Sequence, residues 1–241
     1  MKKSGLLFGY LLIAFFAFAQ QNDAPYDFPV RPGSEKWQSF KTVEDMYAAC
    51  QVPQDVLDKL STAALIKTCL NYPAPSTLLI HNTPQEGFED WKQHFNGIGT
   101  LLARADAREK MLEFYKGVDI KGYSGLKTEI EKGQYTFYIM MVESIMAQDE
   151  IAGKMSLTQK KQLLKLSLAK YDVIGSDPLY GFASLTSTGR IIVKLAGTLG
   201  GSILKMKIQT QPMQQFIATG LLTDRERFLQ IIKETRTVAT K

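Results

Sequence analysis

Three short strings set the fold class of this chain. Thr83-Pro84-Gln85-Glu86, Ser156-Leu157-Thr158-Gln159 and Thr223-Asp224-Arg225-Glu226 each place a hydroxyl residue three positions before Glu or Gln. That is the capping-box signature of a helix start, and the first string adds proline at the first helical position. Apolar residues at spacings of three and four follow each string. They are Phe88, Trp91, Phe95, Ile98 and Leu102 after the first, and Leu157, Leu164, Leu168 and Tyr171 in the second. The third is followed by Phe228, Ile231, Ile232 and Thr235. Such a stripe turns one helix face inward, and Lys160, Lys161 and Lys170 are expected on the wet side of the second helix.

The intervening segments read the same way. Thr42 precedes two acids and the stripe Val43, Met46, Tyr47 and Cys50. Pro53 opens a short helix bearing Val56, Leu57 and Leu60, and Ser61 or Thr62 caps another that ends before Tyr72-Pro73. Asp106 caps a helix with Met111, Leu112 and Tyr115 inward. Residues 129–148 form a helix that is apolar on every side from Phe137 to Val142, which marks it as the central one. Met213, Phe216 and Ile217 belong to a short helix stopped by Gly220. Two places stay open. At Asn96-Gly97 the helix either ends or runs on weakened. Residues 190–208 alternate like a hairpin, although a helix to about Leu199 is favoured because an isolated hairpin is marginal in water.

The expected fold is therefore all-α, a single domain over residues 34–241. Helix starts near 42, 83, 129, 185 and 223 come close to the period of armadillo-like and HEAT-like helix pairs, but the side chains do not repeat. An irregular α-solenoid and an orthogonal helical bundle both satisfy the pattern.

The N-terminus reads as an export signal. Lys2 and Lys3 precede an apolar run from Leu6 to Phe18, and Ala17-Phe18-Ala19 is a small-x-small site with the cut between Ala19 and Gln20. The expected location is periplasmic or extracellular, without a lipid-bearing cysteine. Removing nineteen residues leaves 222, with 27 basic against 24 acidic side chains. That excess is too small for a nucleic-acid binder. Residues 20–33, with Pro25, Pro29 and Pro32, read as an extended arm anchored by Trp37 and Phe40.

The chemistry-bearing residues are few. Cys50 and Cys69 lie on neighbouring helices, either joined in a disulfide or buried as small apolar side chains. A thiolate nucleophile with a histidine base fits neither buried face. His81 and His94 are weak metal candidates, with Glu86, Glu89 or Asp90 as further ligands. Their spacing matches no zinc motif, and an Asp90–His94 surface pair accounts for it equally well. Glu143 interrupts the most apolar helix. Buried, it would serve as a general acid; the favoured alternative places it on a wet edge or beside a lysine. From Pro178 to Thr223 there is no acid, while Arg190, Lys194, Lys205 and Lys207 give +4, which suits an anionic membrane surface or an ordinary basic edge. The chain has no phosphate-binding glycine loop, no dinucleotide fingerprint and no nucleophile elbow, so no cofactor is expected.

The strings Ala49-Cys50-Gln51-Val52-Pro53, Thr68-Cys69-Leu70-Asn71-Tyr72-Pro73 and Phe95-Asn96-Gly97, with Trp37 and Phe40 ahead of them, carry a resemblance. Over residues 32–110 the chain resembles a family of secreted bacterial proteins with helical domains, for which no activity is established. The resemblance implies secretion and helicity and transfers no site residue. The function expected from the sequence is a binding module for a protein or envelope component. The alternatives are a hydrolase or lyase built on carboxylates, and peripheral membrane association through residues 178–223.

Overall fold

The computed structural model describes residues 23–239, so the leader and its Ala19–Gln20 junction lie outside the described residues. Within them the chain is helical, with no strand. The N-terminal part carries α1 (Glu35–Gln38), α2 (Val43–Ala49), α3 (Gln54–Leu57) and α4 (Thr62–Leu70). A 3-10 turn at Pro75–Leu79 leads to α5 (Pro84–His94), α6 (Asn96–Ala103) and α7 (Ala107–Gly117). A second 3-10 turn at Gly122–Gly125 precedes α8 (Glu129–Met146), and a π turn at Asp149–Gly153 precedes α9 (Leu157–Ser176). Then come α10 (Phe182–Leu199), α11 (Ser202–Ile208), α12 (Gln211–Thr219) and α13 (Arg225–Ala239). Residues 190–208 are thus helix, break and helix, not a hairpin.

Hydroxyl side chains cap the helices that follow Ser34, Thr42, Ser61, Thr83, Thr128 and Ser156, and three of the expected starts need correction. Closed capping boxes form at Thr42, Thr128 and Ser156. At Thr83 the hydroxyl accepts the Glu86 N–H at 3.2 Å, but the Glu86 carboxylate reaches back one residue further, to the Asn82 N–H. Asp106 does not cap α7 with its side chain, because that carboxylate accepts the Thr62 hydroxyl at 2.7 Å. The third box moves by one residue: Asp224, not Thr223, accepts the Arg227 N–H at 3.0 Å.

The Asn96-Gly97 question has a third answer. The chain turns extended at Phe95 (φ −137°, ψ 112°) and restarts as α6. The carbonyl and amide freed by the break are taken by a distant side chain: Gln51 donates to the His94 carbonyl and accepts the Asn96 N–H. Asn96 returns the exchange on both backbone groups of Val52. Every backbone group exposed by a helix break needs such a partner when buried.

Trp37 packs against the core as expected, and the arm has a deeper anchor as well: Phe28 is buried against Phe95 with ring centroids 6.0 Å apart, and the Tyr26 N–H donates to the Thr68 hydroxyl. Trp37 and Phe40 are half-buried and pack edge to face on each other. Leu157, the first residue of α9, is 65 % exposed and not part of that helix's buried line.

Two helices share the centre: α8, as expected, packs against α4, α5, α7 and α10, and α10 packs against α8, α9, α11, α12 and α13. Phe137, Tyr138 and Met140 on α8 are only half-buried because they line cavities, which is why that stretch is apolar all round. Gly220 ends α12 in the left-handed region (φ 80°), and a Cβ there would also press on the Pro84 ring at 3.0 Å. Gly220→Ala is therefore expected to lower stability by about 1–2 kcal/mol, read as a shifted urea midpoint at unchanged slope. Among the described residues no helix is long and apolar enough to cross a membrane.

Candidate functional site

Glu143 lies on the inward face of α8, in register with Ile139, Val142 and Met146, and is only 1 % exposed. It occupies neither a wet edge nor an ion pair. Its Oε1 accepts two hydrogen bonds, from the Tyr115 hydroxyl of α7 at 2.8 Å and the Thr188 hydroxyl of α10 at 2.7 Å. Its Oε2 is buried and has no hydrogen-bond partner among the described residues. Burial pushes the carboxyl up to about 7, against the pull of the Thr188, Ser187 and Tyr115 hydroxyls and the Lys170 charge. The Ser187 hydroxyl is a further hydrogen-bonding neighbour of the carboxyl and, like Glu143, lines the cavity described below.

Lys170, expected in water, is buried. Its ammonium donates to the Val118 carbonyl and sits 4.9 Å from the centre of the Tyr115 ring. Desolvation lowers its pKa, and the Glu143 and Asp119 charges oppose that fall. A cation over an aromatic face offsets part of such a burial cost.

Glu143 borders a cavity of about 250 Å³. Leu78 and Leu79 of the first 3-10 turn, Met140 and Phe137 of α8, and Ser187 of α10 form much of its wall. The turn can lean this close because residue 87 of α5 is glycine; a Cβ there would collide with the Leu78 carbonyl. Arg190 also lines the cavity, with its Nε and Nη2 engaged by other protein groups. Its Nε donates to the Ile217 carbonyl at 2.9 Å, and Nη2 to the Ala218 carbonyl and the Gln85 side chain. The last carbonyls of α12 face it, where a helix dipole favours positive charge. Burial draws Arg190 down to about 10, so it stays charged at neutral pH.

His81 lines the same cavity, with Nε2 3.6 Å from the Asp90 carboxylate. His94 meets Asp90 from another side, through Nδ1 at 3.1 Å, and stacks on Tyr47. Among the described residues no three His, Cys, Asp or Glu side chains are arranged to hold a metal. Cys50 and Cys69 are free, buried thiols, so the candidate disulfide is not formed. Burial pushes the Cys50 thiol up to about 11 and the Cys69 thiol further, which removes the thiolate a nucleophile needs.

The basic edge of the acid-free segment largely disappears in three dimensions. Arg190 is buried, Lys194 pairs with Asp149 at 2.7 Å, and Lys207 pairs with Glu234. Lys205 is left beside the exposed Ile203 and Met206. A wider depression of about 730 Å³ lies between α7 and α8, but its Glu131 is consumed by the Thr128 capping box. It carries no unpartnered buried polar atom, so the Glu143 cavity is the stronger site.

Sequence reasoning singled out Glu143 and His81, and both line this cavity. It did not assign Tyr115 or Thr188 as partners of the carboxyl, or Arg190 as a clamp. No protein-family model matches the chain, and neither a curated protein nor a solved structure matches it.

Proposed function

We propose that this chain is an exported, non-catalytic binding module, and that its ligand is a small, mainly apolar molecule rather than a macromolecule. The export half of this reading rests on the leader's basic start, apolar run and Ala-x-Ala site. The ligand half rests on one observation: an apolar cavity of about 250 Å³ is lined by Glu143, whose Oε2 is buried and without a hydrogen-bond partner among the described residues. The apolar walls favour a hydrocarbon body by themselves, and leaving the oxygen unsatisfied costs about 1–3 kcal/mol, which only a ligand with a hydrogen-bonding group recovers. Catalysis is the weaker reading, because Arg190 is committed to carbonyl and amide oxygens and both cysteines are inert.

The test uses isopropenylbenzene, a small uncharged fragment without a strong hydrogen-bond acceptor, titrated into the mature protein and followed by backbone amide NMR shifts. Binding at a Kd of ~0.1–1 mM is expected for a fragment of this size, with shifts centred on residues 137–144 and 183–190. Ala183, exposed at the start of α10, lines the cavity, so Ala183→Trp should weaken binding about tenfold. Saturable shifts elsewhere, or unchanged affinity in that variant, would overturn the reading.

A further inference from the structure

We propose that the cavity selects an uncharged ligand bearing a hydrogen-bond acceptor oxygen, such as a ketone or amide carbonyl, which receives a hydrogen bond from Oε2 of protonated Glu143. This rests on the cavity being a ligand site and names the chemistry of its occupant.

The geometry of the carboxyl carries the argument. Oε1 already accepts from Tyr115 and Thr188, which uses both of its lone-pair directions. A proton on Glu143 therefore resides on Oε2. That atom is the buried one without a partner, on a residue that borders the cavity. Protonated Glu143 thus offers a single donor, and a ligand oxygen has to take the place of the neighbouring Ser187 hydroxyl as its acceptor. The body of the ligand must suit Leu78, Met140 and Phe137, which favours an uncharged skeleton.

The surrounding charges point the same way. From α9, Lys170 acts on Glu143 through space; from α10, Arg190 lines the cavity, and from the 81–83 segment so does His81. Tyr115 of α7 and Tyr180, just before α10, also feel the carboxylate, and both have raised pKa values, so they remain neutral. While Glu143 is protonated, the Lys170 and Arg190 charges around the space disfavour a cationic ligand. An anion would face Glu143 itself once that group ionises.

Three fragments of matched shape separate the cases: acetophenone with a carbonyl oxygen, isopropenylbenzene without it, and 1-phenylethylamine with a cation. Each is titrated at pH 5.5 and pH 8.5 against the mature protein, Glu143→Gln and Glu143→Leu. At pH 5.5 acetophenone should bind about five- to tenfold tighter than isopropenylbenzene, the advantage of one hydrogen bond from a buried donor. The amine should bind no better than isopropenylbenzene. At pH 8.5 the wild-type preference for the ketone should shrink severalfold.

Glu143→Gln keeps an oxygen for Tyr115 and Thr188 and presents an N–H where Oε2 was, so it should prefer the ketone at both pH values. Glu143→Leu should lose the preference. If that variant does not fold, the pH series and the glutamine variant still decide the matter. Equal affinity for ketone and alkene at pH 5.5, preference for the amine, or a ketone preference in wild type that ignores pH would each overturn the proposal. Binding of the alkene alone would leave the cavity reading standing while this one falls; failure of all three fragments would remove both.

Discussion

Glu143→Gln is expected to change stability little near pH 4.5 and to raise it by about 3 kcal/mol above pH 8. Unfolded, the carboxyl releases its proton near the ordinary value of 4.5; folded, burial holds the proton until about 7. Between those values the native chain keeps a proton that the unfolded chain has lost. Unfolding then releases a proton, and stability falls as pH rises. The loss is complete above the folded value, and each unit of displacement corresponds to about 1.4 kcal/mol. Glutamine accepts the same two hydroxyls on its oxygen and carries no charge, so the pH-dependent part vanishes. Urea unfolding of both proteins at pH 4.5 and 8.5 checks this directly, since other titrating groups cancel in the difference. Stability profiles that stay parallel across the range would show that Glu143 is not the desolvated acid described here. The native residue thus destabilises its own fold at neutral pH, a pattern common to groups retained for binding.

Trp91→Ala is expected to cost about 3–5 kcal/mol, the range for deleting a large aromatic side chain from a packed core. Trp91 is fully buried on α5, edge to face with Phe88 and tilted on Tyr72. Its indole N–H has no hydrogen-bond partner among the described residues. That orphan makes a sharp comparison available. Trp91→Phe loses ring area but also removes a buried donor that was never satisfied, so it should cost less than half as much as the alanine change. Circular dichroism during chemical unfolding measures both. An alanine penalty below 1 kcal/mol would mean that α5 is not packed as described.

Most helix starts were legible because capping is local: Thr42, Ser61, Ser156 and the proline after Thr83 lie within one turn of the groups they serve. What escaped was long-range. The break at Phe95 depends on Gln51, 44 or so residues away, which supplies an alternative partner for the backbone. Lys170 looked solvated because a lysine in an amphipathic helix usually is; its carbonyl acceptor lies in the loop after α7. The acid-free stretch looked basic because Asp149 and Glu234, which pair with two of its lysines, lie outside it. Glu143 falls between these cases. Its register with Ile139, Val142 and Met146 already placed it inward, yet the hydroxyls that fix its orientation come from two other helices.

The guanidinium of Arg190 reaches the end of α12 and the start of α5 while its own helix forms one wall beside Glu143. If a molecule occupies the proposed site, its binding and the tethering of the end of α12 would be linked equilibria: a molecule that favours the clamped guanidinium would hold Ile217 and Ala218 more firmly, and loosening them would, by reciprocity, weaken its binding.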